Sequence, residues 1–268
     1  MTQAARFRAA YADHRATEGR GAGGIAELLA LPYVRSGPLA RQWAVRARSY
    51  ERFLEAVVLP LERARAGRPL RVIDLGAGNG WLCYRLAQRG HPCVALDWRC
   101  DAVDGLGAGA TYEARLAEDF ARVAASFDAI PARRVFDLVV FNAAIHYATS
   151  LERAVAEAAR VAVPGARIVI LDSPFYRRAA DGERMVSEKR AAASREWGAR
   201  AADLLALPAI EYLTAEALAA ASAPHGLRWR RHRVRYPLWY ELRPLAARLR
   251  SRRPPSRFDV WEAAVPEA

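Results

Sequence analysis

Three glycines at alternate positions, Gly76, Gly78 and Gly80, constrain this chain more than any other feature. They follow Arg71-Val72-Ile73-Asp74-Leu75, whose apolar and β-branched residues read as a buried strand, and precede Trp81-Leu82-Cys83-Tyr84-Arg85-Leu86-Ala87, which reads as a helix. Glycine adopts positive φ freely and lets a ligand approach a backbone that carries no Cβ. The unpaired N–H groups at the start of the helix then face whatever lies over the turn.

A dinucleotide-binding turn would read G-x-G-x-x-G, with a small last residue where helix meets strand. Counted from Gly76 that position holds Trp81. The next strand, His91-Pro92-Cys93-Val94-Ala95-Leu96-Asp97, ends on a carboxylate, and an acid at that strand tip can accept both hydroxyls of a ribose. The pattern D-x-G-x-G-x-G from Asp74 to Gly80, with Asp97 ending the following strand, resembles the class I S-adenosylmethionine-dependent methyltransferases. The resemblance implies a Rossmann-like, doubly wound, mostly parallel α/β sheet of seven strands closed by an antiparallel hairpin, with S-adenosyl-L-methionine as cofactor. It further implies that Gly76, Ala77, Gly78 and Gly80 shape the methionine-side loop, that Asp74 supports the turn and the cofactor amine, and that Asp97 holds the ribose. Trp98 is placed either along the adenine face or packed under the sheet edge.

At 268 residues the chain can bury one substantial core. No apolar run approaches the ~20 residues of a membrane span. The stretch from Met1 to Gly24 has arginines but no apolar h-region, so a cytoplasmic location is expected. Cys83, Cys93 and Cys100 lack C-x-x-C spacing, which predicts reduced thiols and no metal site. The net charge of +12 rests almost wholly on arginine, Lys189 being the one lysine. Such a skew reflects either a GC-rich genome or a nucleic-acid-binding surface.

Residues 1–64 read as a helical extension and 65–268 as the methyltransferase domain. Met1 to Gly37 is mixed in pattern, whereas Leu39 to Leu61 carries Trp43, Ala47, Tyr50, Leu54, Val57 and Val58 at helical spacing, a lead-in lying across the sheet or the cofactor mouth. Arg46 and Arg20 either reach the cofactor's carboxylate or are solvated. A helix is expected over Asn79–Arg89, another over Tyr112–Phe120, and a third strand over Arg122–Phe127. In the resembled family the end of that strand meets the adenine; here Ser126 and Phe127 occupy it, with Asp128 the nearest acid. Val135 to Asn142 is a fourth strand, apolar on both faces. Asp137 at its start is structural and Asn142 ends at the ligand edge. Thr149-Ser150-Leu151-Glu152 suggests a capping box, and Ala166–Asp172 a fifth strand. Residues 173–207 are expected to form a lid insertion, and Leu227–Tyr236 and Phe258–Ala263 the closing strands. Between these two strands, residues 237–256 form a basic amphipathic insertion whose stretch 237–253 suits an anionic membrane, a pocket cover or a partner surface.

Methyl transfer from a sulfonium is an in-line displacement that needs positioning and exclusion of water more than dedicated catalytic groups. Were the acceptor a hydroxyl, His146 in the loop after strand four would be the candidate base and Tyr147 an orienting group. The expected activity is methyl transfer to a small-molecule or lipid-like acceptor. The alternatives are an RNA base methyltransferase, favoured by charge and by Ser173-Pro174-Phe175-Tyr176, and a catalytically silent cofactor-binding homologue. Phosphate-loop, H-E-x-x-H and G-x-S-x-G signatures are absent from the sequence.

Overall fold

The computed structural model describes residues 3–21, 23–198, 201–205 and 208–267. Through its centre runs a seven-stranded sheet in the order β3-β2-β1-β4-β5-β7-β6. The strands are β1 (Val72–Leu75), β2 (Cys93–Asp97), β3 (Ala121–Ala124), β4 (Phe136–Asn142), β5 (Ala162–Leu171), β6 (Trp229–His232) and β7 (Val260–Ala264). β1 to β5 are parallel, β7 is antiparallel to β5, and β6 is antiparallel to β7. The expected doubly wound sheet with its antiparallel closing pair is present. The helices are α1 (Gln3–Thr17), α2 (Gly24–Ala30), α3 (Ala40–Phe53), α4 (Leu59–Ala64), α5 (Trp81–Ala87), α6 (Leu151–Val161), α7 (Ala179–Trp197), α8 (Ala201–Leu204), α9 (Ala215–Ser222), α10 (Leu238–Glu241) and α11 (Arg243–Leu249).

Because successive strand residues point to opposite faces, each central strand feeds two cores. Val72, Leu138, Val140, Val169 and Leu171 pack against Trp43 and Phe53 of α3 and Trp81, Leu82 and Leu86 of α5. Ile73, Leu75, Val139, Phe141, Ile168 and Ile170 pack against Leu151, Val155 and Ala158 of α6 and Leu218 of α9. Trp81 explains the departure from the dinucleotide pattern: it sits edge-on to Trp43 and Tyr50, at 6.0 and 5.6 Å between ring centroids, and so docks the N-terminal helices onto the sheet. At the opposite end of β4 from its ligand edge, Asp137 accepts from the Arg71 backbone N–H, the Arg71 side chain and Arg65 Nη2, each at 2.9 Å. Burial opposes its ionisation, but these hydrogen bonds hold its pKa at about 2.

Several local expectations are corrected. Residues 3–17 form a helix despite their mixed pattern, because α1 sets aromatic and charged groups against loops rather than an apolar stripe against the core. Residues 106–115 form a 3₁₀ helix where an α-helix over Tyr112–Phe120 was predicted. A Cβ at Gly107 would lie 2.8 Å from the Cys100 carbonyl, so that segment folds tightly on the preceding loop. Ser150 caps α6 by accepting from the Arg153 N–H at 3.2 Å, with no reciprocal capping box. The helix after the glycine turn is confined to Trp81–Ala87, β3 ends at Ala124 and β6 ends at His232. The basic segment 237–253 breaks into two short helices at Pro244, near the start of α11. Of the expected lid, residues 199–200 and 206–207 lie outside the described ones.

Candidate functional site

The parallel strands deliver their carboxyl ends to one edge of the sheet, and the order reverses direction between β1 and β4. Open α/β sheets bind ligands at such a point. The glycine turn is bent back over β2 by the Gly76 and Ala77 N–H groups, which donate to the Leu96 carbonyl at 2.8 and 3.0 Å. Gly76, Gly78 and Gly80 have φ of 77°, 56° and 79°. A side chain at Gly76 would overlap the Cβ of Ala144, so the loops after β1 and β4 touch only because no side chain intervenes. Gly80 caps α5 in the left-handed conformation, and the Trp81 N–H donates to Asn79 Oδ1 at 3.2 Å.

Asp97 is buried and accepts one backbone N–H on each oxygen, from Gly78 at 2.8 Å and from Arg99 at 2.8 Å. Burial raises its pKa, while those two N–H groups act in the opposite sense. Each oxygen keeps a lone pair for a further donor. Asp97, not Asp74, therefore ties down the turn. Asp74 is fully buried and neither of its oxygens has a hydrogen-bond partner among the described residues. Burial, then the nearby Asp97, push its pKa well above the carboxylate range.

Asp74 is not alone in this. Asn142 at the end of β4 is buried with its Oδ1 unpaired, and Asp172, just beyond β5, is buried with its Oδ1 unpaired. Asp172 has a φ of 48° and a pKa raised to about 6 by burial, against the opposing influence of Arg46 and Ser49. Arg46 of α3 stacks its guanidinium 5.0 Å from the Trp43 ring. Among the described residues it makes no hydrogen bond or ion pair, and burial, then Arg20, lower its pKa to about 10. Three neighbouring strands thus end on buried carboxylate or amide oxygens without a hydrogen-bond partner among the described residues, and the last of them, at Asp172, lies near Arg46. Native structures rarely leave such groups unmatched, so the cluster points to a polar ligand with both donors and acceptors. Asp172 followed a readable strand, as Asp97 did, but its left-handed backbone and unmatched oxygen had no sequence signal.

The remaining expected residues surround this cluster unevenly. His146 lies on a 3₁₀ turn, half-buried, with Nδ1 3.4 Å from Ser173 Oγ and its ring 4.2 Å from that of Tyr147. Burial, then Lys189 and Arg46, lower its pKa to about 3, so at neutral pH it is an uncharged imidazole of low basicity, suited to hydrogen bonding more than to storing a proton. Tyr147 is exposed at its ring and its hydroxyl meets that of Tyr11 on α1 at 3.4 Å. Trp98 packs on Phe7 of α1 with ring centroids 5.6 Å apart. Ser126 is exposed and accepts from the Asp128 N–H at 3.1 Å, while Phe127 is a core residue set edge-on to Phe141. The structure therefore gathers Asp74, Asn142, Asp97 and the glycine turn, with Ser126 pointing its hydroxyl into its own turn.

α1 crosses this edge as a strap. Arg15 and Arg99 both reach Asp104, at 2.6 and 3.4 Å, and Asn79 donates to the same carboxylate at 3.4 Å. Beyond the site, His14 meets Trp197 of α7 at 5.5 Å and Arg6 pairs with Asp203 of α8 at 3.3 Å. Sequence reasoning placed the lead-in Leu39–Leu61 across the sheet or the cofactor mouth; α3 takes the first position, packing on the sheet, and it is α1 that crosses the ligand edge. Phe175 is buried and stacked on Trp261 at 4.6 Å, and the Tyr176 hydroxyl accepts from Arg253 at 2.8 Å. The Ser-Pro-Phe-Tyr string thus contributes packing, with its phenyl ring unavailable for stacking on a base.

Residues 73–170 match the family model described as a methyltransferase domain. Among curated proteins, the chain is 41% identical over 123 residues to the malonyl-[acyl-carrier protein] O-methyltransferase of Geobacter sulfurreducens, covering 44% of this chain and 42% of that protein. It is 33% identical over 144 residues to a ubiquinone/menaquinone biosynthesis C-methyltransferase of Methylobacterium nodulans, 51% of each being covered. The chain thus spans about half the length, or less, of the curated relatives it matches. Among solved structures, magnesium protoporphyrin IX methyltransferase from Synechocystis PCC 6803 with bound SAH shares the fold at a TM-score of 0.55 and 17% identity, over 89% of this chain and 93% of that one.

Proposed function

We infer that the class I S-adenosylmethionine-dependent methyltransferase domain carried by this chain binds S-adenosyl-L-methionine at the carboxyl edge of β1, β2, β4 and β5 and methylates a small organic acceptor. The observation that carries this reading is the set of buried oxygens without a hydrogen-bond partner, on Asp74, Asn142 and Asp172, with Arg46 near Asp172 and the glycine turn at the same edge. An amino acid joined to a nucleoside fits that set. Asp97 would accept the ribose hydroxyls, Asp74 and Asn142 would accept from the amino group, and Arg46 would hold the carboxylate. When bound, the cofactor supplies an electrophilic methyl group on a sulfonium. The chain's own part is to fix that group, exclude water beneath α1, and hold the acceptor in line.

The relatives named for O-methylation of malonyl-[acyl-carrier protein] and for C-methylation in ubiquinone/menaquinone biosynthesis support a small or carrier-bound acceptor in preference to RNA. The weak basicity of His146 favours an acceptor that is already ionised or intrinsically nucleophilic, with His146 and Tyr147 orienting it. Calorimetric titration with S-adenosylhomocysteine tests the cofactor half. Wild type is expected to bind, and Asp97→Ala to lose roughly 1.5–3 kcal/mol, the worth of hydrogen bonds to a charged group. Equal affinity of the two proteins would remove Asp97 from the site, and absence of binding by wild type would refute the reading. Transfer of labelled methyl from the cofactor to small molecules of a cell extract then separates an enzyme from a silent homologue.

A further inference from the structure

We propose that α10 and α11 form a docking surface for an anionic lipid membrane, beside the mouth of the site. Ile170 of β5 opposes Trp261 and His232 opposes Val260, so the connection from β6 to β7 emerges at the sheet's ligand edge. Its inner face is committed. Tyr236 meets the Ser49 hydroxyl of α3 at 2.9 Å, Tyr240 packs on Tyr236 at 4.2 Å, and Arg253 pairs with Glu188 of α7 at 2.6 Å. Its outer face is not. Leu238, Trp239, Leu242, Leu245 and Leu249 recur at helical spacing and are between 43% and 78% exposed, the largest such group among the described residues.

Charge identifies the occupant. Arg41 lies 5.8 Å from the Trp239 ring, and Arg248, Arg250 and Arg252 follow along α11 and its end. All four are exposed, and among the described residues none has a carboxylate within 4.0 Å. The segment's one acid, Glu241, is taken by Arg257 at 2.8 Å. Exposed leucines bordered by unpaired arginines, with a tryptophan where the two meet, suit the boundary between acyl chains and anionic headgroups. A bilayer accepts leucines protruding from two short helices without a matching concavity, which a folded acidic protein would have to supply.

Vesicle flotation tests this independently of methyl transfer, using phosphatidylcholine alone and an equimolar mixture with phosphatidylglycerol. Wild type should float with the mixed vesicles and stay behind with the neutral ones. Arg248→Gln/Arg252→Gln should weaken the partition roughly tenfold to thirtyfold, and Leu245→Glu/Leu249→Glu should abolish it. Since these side chains project into solvent, both variants should keep the wild-type melting temperature and the wild-type affinity for S-adenosylhomocysteine. Equal flotation with both vesicle types, or unchanged flotation of the leucine variant, overturns the proposal. So does failure to float by a chain that an acidic acyl carrier protein retains through the same leucines, since the surface would then serve a protein.

Discussion

Substituting Gly76 by alanine isolates the contact on which the site's shape rests. Two costs are separable. The residue has a φ of 77°, and forcing an L side chain into the left-handed region costs about 1–2 kcal/mol. The new methyl would also overlap the Ala144 Cβ and come within 3.5 Å of the Phe127 ring. Both neighbours are buried and Phe127 is wedged against Phe141, so neither can simply turn away, and overpacking of this kind costs about 1–3 kcal/mol. Gly76→Ala should therefore lose about 2–5 kcal/mol in urea unfolding. Ala144→Gly alone removes one methyl and should cost about 1 kcal/mol. Combined, the pair should recover the steric part but not the backbone part, giving a coupling of about 1–3 kcal/mol in favour of the double variant. S-adenosylhomocysteine titration should follow the same order, weakest for Gly76→Ala. Strict additivity of the two changes would refute the claim that the β1 and β4 loops meet through this contact.

Three further outcomes follow from the charges. Arg46→Met should weaken S-adenosylhomocysteine by about 1.5–3 kcal/mol in calorimetry by removing the charged donor expected at its carboxylate. Asp137→Asn should lose about 1.5–3 kcal/mol in urea unfolding by stripping charged hydrogen bonds from Arg71 and Arg65. Its folded pKa of about 2 lies below the ordinary carboxylate value, so the stability it contributes is full above about pH 4 and disappears as pH falls toward 2. Asp172 has the opposite sign: its pKa of about 6 is raised, so stability is present below about pH 4 and lost as pH rises through 6. Asp172→Asn should then gain on wild type, by up to about 3 kcal/mol between pH 4 and pH 7 in parallel urea titrations.

What the sequence made legible was decided by backbone demands. Positive φ at Gly76, Gly78 and Gly80 and burial on both faces of β4 each leave a residue-level signature, and the sheet, its order of elements and Asp97 followed from them. Asp74 was legible as an acid at the right place, but its work was not: the turn hangs on Asp97 and the Leu96 carbonyl, leaving Asp74 unmatched. Ser126 and Phe127 were read from a strand whose end was set three residues too far; β3 stops at Ala124 and the chain then turns, sending Phe127 into the core. The place of α1 over the site was not legible because periodicity reports an apolar face, whereas its contacts are Tyr11 on Tyr147, Phe7 on Trp98 and Arg15 on Asp104.

The same division separates the floor of the site from its cover. Asp74, Asp97 and Asn142 stand on strands whose neighbours fill two apolar cores, so their positions are fixed at the level of global stability. The cover is joined differently. α1 reaches α7 and α8 through the His14–Trp197 and Arg6–Asp203 contacts, and α7 reaches the segment after α11 through Glu188–Arg253. Ion pairs between partly exposed side chains contribute about 0–1 kcal/mol each, so parting these elements costs far less than disturbing a strand. An in-line transfer needs both properties at once: a cofactor seat that does not move, and a lightly held cover that lets the acceptor in and then keeps water out. The segment that carries the leucines of α10 and α11 is tied to that cover by the Arg253–Glu188 pair, so a membrane bound there would meet the chain where opening is least costly.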